Sequence, residues 1–374
     1  MFLLNMLIQI LLYITIPTAG NIFPSIPHAS SSPSSLPTTC SSSCQLPSCS
    51  CGLSIPGGIS PDKTPQFVLL TFDDAVNDLN NDFYSRLFQG RTNPNGCDST
   101  ATFYISHEWT DYGQVQDLYS KGHEIASHTI THSHPTSFDQ EMWAREVVGQ
   151  AELLVQLGNV APGDVRGMRA PFLQTGGDTM FSVLKEFGFM YDSSLSTSRT
   201  SPGLWPYTLD QNPPHSCHIP PCPTGIHPGL WEIPMTLQDD GKGNHCPMLD
   251  GCRYDEDAES IQRMLTKNFL RHYTSNKAPF PMFYHAAWFK LRPHREEALL
   301  KFLDSIQELP DVYLVSSQQL LQWVQAPSPL PGPQPSLSCP PRNTQPCGSR
   351  KQHCSYGGRG FYTCAQCPAE YPWN

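Results

Sequence analysis

From residue 66 to about 325 the chain alternates short apolar runs with longer amphipathic stretches, and this rhythm limits the folds open to it more than any other feature. The runs QFVLLTF (66–72), ATFYIS (101–106), EIASH (124–128), VRGMRA (165–170), FMYD (189–192), LWEIPM (230–235), MFYHAAW (282–288) and VYLVS (312–316) have the length and the β-branched and aromatic content of strands. Helical patterns lie between many of them. In FDQEMWAREVVGQAELLVQLG (138–158), Met142, Val147, Val148, Ala151, Leu154, Val155 and Leu157 recur at helical spacing, and DAESIQRMLTKNFLRHY (257–273) reads the same way. Strand–helix alternation predicts an α/β fold with a parallel sheet and crossover helices, either a barrel or a doubly wound sheet.

The flanking segments differ. Residues 1–20, MFLLNMLIQILLYITIPTAG, read as a signal peptide, with small residues Thr18 and Gly20 ahead of a cut before Asn21. The stretch lacks Lys and Arg, which a signal anchor would also allow, but its apolar run is shorter than the ~20 residues that span a bilayer. Residues 21–39 are Ser/Pro-rich. Residues 40–325 form the expected main domain, within which 198–253, rich in Pro, Gly and Cys, reads as a stapled surface insertion. A proline-rich linker (326–338) leads to a Cys-rich tail (339–374) that is too short for a core of its own and needs disulfides or docking. The 14 cysteines, behind a leader, indicate disulfides and a secreted, extracellular protein. Structural zinc at the CSC and CAQC spacings is the competing reading, weakened by the lack of paired C-x-x-C units. A net charge of −10 argues against a nucleic-acid partner, which needs a basic face, and against an anionic membrane surface. No later segment is apolar enough for a membrane span, and a monomer is expected.

In parallel α/β folds functional side chains gather at the carboxyl ends of strands. Here Asp73 and Asp74 follow the first run, His128 ends the third with His132 four residues on, Arg169 ends the fourth ahead of Pro171 and Phe172, Asp192 ends the fifth, and His285 lies in the seventh. Two His and one carboxylate are a common set for a catalytic divalent ion with open positions. Each residue alone has a plainer structural reading. Asp73 and Asp74 suit the cap and first turn of a following helix, His285 a satisfied core position, and H-x-x-x-H a surface turn. Trp205, Tyr207 and Trp288 suit either sugar stacking or packing. The zincin H-E-x-x-H signature is absent.

The motifs TFDDAV, SHTITH, RAPF, YDSS and FYHAAW occur in the order found in polysaccharide deacetylases with the NodB homology domain, carbohydrate esterase family 4. CQLPSCSC, NPNGCD, KGHEIASHTITH, MRAPFLQTGGD and the terminal CPAEYPW resemble the secreted insect-type chitin deacetylases of that family, and the resemblance runs from about Cys40 to the C-terminus. It implies a distorted (β/α) barrel with disulfide-rich terminal segments packed on it, and hydrolysis of N-acetyl groups of chitin or chitin oligosaccharides. It further implies a divalent metal, most often zinc in this group, on Asp74, His128 and His132, with Asp73 as general base on the attacking water and Arg169 holding Asp73. His285 would be the general acid, Asp192 would orient or tune it, and the backbone N–H of Phe172 would donate to the oxyanion. A catalytically silent chitin-binding protein, or a deacetylase of another acetylated glycan such as peptidoglycan, are the alternatives. Without a chitin-binding or lipoprotein-receptor-type module ahead of the barrel, soluble oligomers or an accessible matrix are the expected substrates.

Overall fold

The first strand of the chain is buried at all eight positions, as a strand covered on both faces must be. A computed structural model describes residues 40–253, 257–339 and 344–373; the expected leader (1–20) and Ser/Pro-rich segment (21–39) lie outside them. In chain order the strands are β1 (Gln66–Asp73), β2 (Thr102–Ile105), β3 (Glu124–Ser127), β4 (Gly167–Met168), β5 (Tyr191–Asp192), β6 (Ser196–Thr197), β7 (Tyr207–Leu209) and β8 (His227–Glu232). They continue with β9 (Met235–Thr236), β10 (Gln238–Asp239), β11 (His245–Cys246), β12 (Phe280–His285), β13 (Val312–Leu314), β14 (Gln352–Tyr356) and β15 (Arg359–Thr363). The helices are α1 (Asn81–Phe88), α2 (Tyr112–Ser120), α3 (Gln140–Gly158), α4 (Asp178–Glu186), α5 (Ala258–Tyr273), α6 (Ala287–Lys290), α7 (Pro293–Gln307) and α8 (Ser317–Gln325).

The main sheet runs β12-β1-β2-β3-β4-β5-β8-β7, with β13 on the start of β1. Its pairs are parallel except β7 with β8. Among the described residues no hydrogen-bonded ladder joins β8 to β12; instead β9, just beyond β8, packs against β12. The chain is therefore an α/β fold with a parallel sheet curled into a distorted barrel. Each strand-like run of the sequence contains or overlaps an observed strand. The Pro-rich 198–253 segment does more than decorate the surface: it supplies β7 and β8, and buries Trp205 and Tyr207.

Side-chain alternation along β1 divides the core. Val68, Leu70 and Phe72 face the helices and join Leu154 and Leu157 of α3, Phe269 of α5 and Phe302 of α7. Phe67 and Leu69 face the barrel interior with Tyr104, Phe283, Trp231 and Trp323. At the amino end of β1, Phe67 stacks among Trp205, Tyr313 and Trp323 and closes the bottom of the barrel. Each such fully buried side chain contributes roughly 1.5–3 kcal/mol by leaving water. Thr71 and Asp73 continue the inward row, so Asp73 enters the barrel from above a filled floor. Trp205 and Tyr207, two of the three candidate sugar platforms, are consumed by this packing, and Trp288 is also buried, stacked on Tyr284.

All 14 cysteines are paired: Cys40–Cys51, Cys44–Cys49, Cys97–Cys339, Cys217–Cys222, Cys246–Cys252, Cys347–Cys364 and Cys354–Cys367. No thiolate remains for zinc at CSC or CAQC. The tail folds as the β14–β15 hairpin and docks on the loop between β2 and α2. Tyr371 hydroxyl meets His107 Nε2 at 2.6 Å, Lys351 Nζ donates to Asp111 Oδ2 at 2.9 Å, and Arg359 Nη2 donates to Glu108 Oε1 at 3.1 Å. The 326–338 segment is fastened too: Leu330 N–H donates to Lys63 O, and Trp323 Nε1–H to Gln334 Oε1.

Candidate active site

Strand register places the polar residues at one mouth. Asp73 is the partner of His285 across β1 and β12, Ser127 of Met168 across β3 and β4, and Asp192 of both Met168 and Glu232. The residues that follow Ser127 and Met168 are His128 and Arg169, so the ends of β1, β3, β4, β5 and β12 converge.

Arg169 is wholly buried inside the barrel. Its Nη1 donates to Asp73 Oδ1 at 2.7 Å and to Thr71 Oγ1 at 2.8 Å; Nε donates to Ser193 O at 2.8 Å and Nη2 to Ser193 Oγ at 3.0 Å. The guanidinium also lies 4.1 Å from the ring centre of Tyr104 and 4.3 Å from that of Phe283. Burial, the largest influence, disfavours its charge, but the Asp73 carboxylate together with Tyr104 and Tyr191 holds its pKa above the ordinary value. Asp73 is thereby fixed with one oxygen on Arg169. It is neither a helix cap nor a first-turn residue, because α1 starts only at Asn81.

Asp74 takes a left-handed conformation (φ 79°), which turns its side chain out of the β1 alternation toward the loops. Its Oδ1 lies 3.2 Å from His132 Nε2 and 3.6 Å from His128 Nε2, and its Oδ2 lies 3.9 Å from His285 Nε2. Burial opposes ionisation of Asp74, yet His132, His285 and His128 together hold its carboxyl well below the usual range. His128 is buried and its Nδ1 meets Arg169 O at 2.7 Å. A carbonyl only accepts, so Nδ1 carries the proton and Nε2 presents a bare lone pair beside Asp74. Burial lowers the His128 pKa to about 4, which keeps the ring neutral. The ligand atoms of Asp74, His128 and His132 all lie within 4.8 Å of one another. One carboxylate oxygen and two imidazoles at this separation suit a divalent ion bound at ~2.0–2.2 Å, so the donor set fits a metal.

Backbone strain concentrates at this mouth. Of the eight non-glycine residues with positive φ among the described residues, Asp74, Trp109, Thr129, His132, Phe172 and Leu173 lie on loops that follow β1, β2, β3 and β4. Such conformations cost of order 1–3 kcal/mol each and persist where surrounding contacts impose them. In the turn after Arg169, Leu173 N–H and Gln174 N–H bond to Ala170 O and Pro171 O, while no partner is found for Phe172 N–H among the described residues. The exposed Phe172 ring lies between His132 and His134, with centroids 4.9 Å and 5.1 Å away.

His285 is oriented differently from expectation. Its Nδ1 lies 2.7 Å from Asp250 Oδ2, and the same oxygen accepts its backbone N–H at 2.8 Å. Burial pulls the His285 pKa down, but Asp250, with Asp74 and Asp73 behind it, pushes it up to about 10. Asp192, the residue expected to orient or tune His285, is elsewhere. Both of its oxygens accept from Ser194 (N–H at 2.9 Å, Oγ–H at 2.7 Å), and it abuts its register partner Glu232. The cause is topological: β5 is flanked by β4 and β8, whereas His285 ends β12 at the far side of the sheet path. Asp192 still serves the mouth, since Ser194 Oγ accepts Ala170 N–H at 2.8 Å, just before the Phe172 turn. Asp250 gave no sequence signal beyond a carboxylate inside the short Cys246–Cys252 loop.

Comparison with known proteins assigns the family. Residues 60–191 match the polysaccharide deacetylase family. Chitin deacetylase 8 of Bombyx mori is 38% identical over 352 residues, spanning 88% of this chain and 90% of that protein. The chain belongs to the polysaccharide deacetylase family. Chitin deacetylase 1 of Bombyx mori is 35% identical over 380 residues, spanning 91% of this deacetylase and 68% of the relative. A solved structure of a Mycobacterium smegmatis protein assigned as a polysaccharide deacetylase superposes with a TM-score of 0.51 at 20% identity, covering 73% of this chain and 94% of the other, and shares its fold.

The Asp192–Glu232 contact generates a pH prediction. Glu232 Oε2 is buried without a donor, and burial beside Asp192 raises the Glu232 pKa well above 4.5; burial likewise pushes Asp192 up to about 6. A proton shared between the two carboxyls satisfies both. The unfolded chain releases that proton at the ordinary carboxyl pKa while the folded deacetylase retains it, so this pair makes stability fall as pH rises above that value. Glu232→Gln, with a permanent N–H toward Asp192, removes the effect. In chelator, the Tm of the parent protein should decline relative to Glu232→Gln as pH rises above the ordinary carboxyl range and through about 6; parallel Tm curves would contradict the shared proton.

Proposed function

We propose that this chain hydrolyses the N-acetyl groups of chitin or chitin oligosaccharides outside the cell, releasing acetate and leaving partly deacetylated polymer. The observation that carries the reading is the meeting of three units at one mouth: Asp73 locked on Arg169, the Asp74–His128–His132 donor set, and His285 backed by Asp250. A divalent ion held by Asp74, His128 and His132, zinc by preference for imidazole and carboxylate together, would polarise the acetyl carbonyl and lower the pKa of water.

The chain's own residues account for the proton movements. The free oxygen of Asp73 accepts a proton from the water that attacks the acetyl carbon, while Arg169 keeps the carboxylate in place. The N–H of Phe172 donates to the oxyanion that forms. As the C–N bond breaks, His285 Nε2–H supplies the proton to the departing amine, and its Nδ1–H stays on Asp250. Water is thus divided between acetate and amine, and the cycle closes when the proton held on Asp73 is released and His285 Nε2 takes one up. Charge on Asp74 and Asp73 is part of what raises the His285 pKa, so a cation on Asp74 brings that proton within easier reach.

The names of the Bombyx mori relatives support chitin as the polymer, and the rim supports a sugar chain. Leu79, Trp109, Phe172 and Leu291 are exposed apolar residues on the loops after β1, β2, β4 and β12. Trp109 is 50% exposed, and its carbonyl accepts Asn77 Nδ2–H at 3.1 Å, three residues past Asp74. An indole held there suits the apolar face of a sugar ring. Seven disulfides support an oxidising, extracellular setting. No helix among the described residues is long and apolar enough to cross a membrane.

Two measurements test the reading. Asp74→Ala should lose both bound zinc and acetate release from chitin oligomers, whereas Asp73→Asn should keep zinc and lose ~10²–10⁴ of the rate; normal zinc binding in both variants sinks the division of roles. Trp109→Ala should raise KM several-fold for a chitin pentamer and leave the dimer unchanged. An equal change for both lengths would remove Trp109 from the substrate track.

A further inference from the structure

The H-x-x-x-H loop has no glycine, yet Thr129 (φ 64°) and His132 (φ 51°) both adopt the left-handed conformation. Something outside the loop must hold it there. The loop's internal bonds are few: His132 N–H to Thr129 Oγ1 at 3.2 Å and Ser133 N–H to Thr131 Oγ1 at 3.2 Å. On the β2 side, His107 N–H donates to Ile130 O at 3.1 Å and Ile105 O accepts His128 N–H at 3.0 Å; the other external bonds fall on α3, and chiefly on one side chain. Glu146 is buried, and its Oε2 accepts the backbone N–H groups of both Ile130 and Thr131 at 2.9 Å, while its Oε1 accepts the Thr131 hydroxyl at 2.7 Å. Two neighbouring contacts complete the seat. Ser127 Oγ–H donates to Val147 O at 3.0 Å, and Ile130 rests over Gly149, where an added Cβ would lie 2.9 Å from Ile130 Cδ1.

We infer that Glu146 is a positioning residue for the metal site: its carboxylate clamps the centre of the loop and thereby sets His132 at the distance from His128 and Asp74 that one ion requires. The inference rests on the metal reading of the preceding section. The two histidines are otherwise held unequally. His128 is buried and pinned through Nδ1 by Arg169 O, independently of Glu146. His132 is partly exposed, follows the clamped Ile130–Thr131 segment directly, and makes no hydrogen bond through its Nδ1 among the described residues. Its remaining contacts, Asp74 Oδ1 at Nε2 and the exposed Phe172 ring, leave the backbone that Glu146 holds as the main support of the ring. Loosening that backbone costs the site one of three ligands while leaving Asp73, Arg169 and His285 where they are.

The test measures zinc affinity by competition with a chelating dye, together with kcat against total zinc, for full-length variants. Glu146→Gln retains one acceptor oxygen for the backbone N–H groups, and Glu146→Ala retains none. Zinc affinity should fall in that order, by about 10- to 100-fold, the range seen when a partner of a metal ligand is removed. Added zinc should restore most of the kcat in Glu146→Gln, a rescue that general destabilisation of the fold would not give. Should Glu146→Ala fail to fold, Thr131→Val, which removes the Oε1 donor and the Thr131 hydroxyl contacts with Ser133 but leaves both backbone N–H bonds to Oε2, should still weaken zinc several-fold. Parental zinc affinity in both Glu146→Gln and Thr131→Val overturns the inference. Asp74→Ala is the control: if it binds zinc like the parent, the metal reading fails; if it loses zinc while the Glu146 variants do not, only the role of Glu146 fails.

Discussion

The ion pair between Asp73 and Arg169 sits where the barrel interior meets its mouth, and the rest of the site is arranged around it. Removing one partner of such a buried pair typically costs about 3–5 kcal/mol, because the other charge is left without water or a counter-ion. Here Thr71, Ser193 and the faces of Tyr104 and Phe283 satisfy what Asp73 leaves over on the guanidinium. The pair also links elements that would otherwise vary independently. Arg169 carries the carbonyl that fixes the His128 tautomer, and the Ser193–Ser194 corner that holds Arg169 also holds the start of the Phe172 turn. One buried cation thus orients the Asp73 carboxylate, a metal-ligand candidate and the start of the Phe172 turn.

The adjacency of Asp73 and Asp74 follows from the same construction. Alternation along β1 sends Asp73 inward to Arg169, and the left-handed turn at Asp74 sends the next carboxylate up to the histidines. Two like charges on consecutive residues thereby face different partners. His285 closes the ring from β12, whose register with β1 sets it beside Asp73.

Much of this was legible in the sequence, and the exceptions share a cause. Strand runs, the long helix after the H-x-x-x-H loop, and the candidate residues at strand ends depend on local periodicity and on motifs a few residues long. Asp192 also ends a strand, so it looked equivalent to the others; its neighbour Glu232 in β8 decides its surroundings, and that pairing is not readable from either run alone. Asp250 and Glu146 act through contacts 35 and 15–16 residues away in the chain, from a disulfide loop and from the buried face of a helix. A carboxylate on a helix carries no mark of whether it faces solvent or a loop. The aromatic candidates could not be sorted between stacking and packing for a related reason: Trp205 and Tyr207 sit in a Pro-rich stretch that looks superficial but plugs the barrel, while Trp109 sits in an unremarkable loop buttressed by the docked tail.

The central claim is that one divalent ion is held by Asp74, His128 and His132, beside a base fixed by Arg169. X-ray absorption at the zinc edge on the purified, zinc-loaded protein tests it most directly. The account predicts one zinc per chain with two imidazole nitrogens and otherwise oxygen ligands, and loss of one imidazole shell in His132→Ala. A sulfur shell, or a spectrum unchanged by His132→Ala, would contradict it.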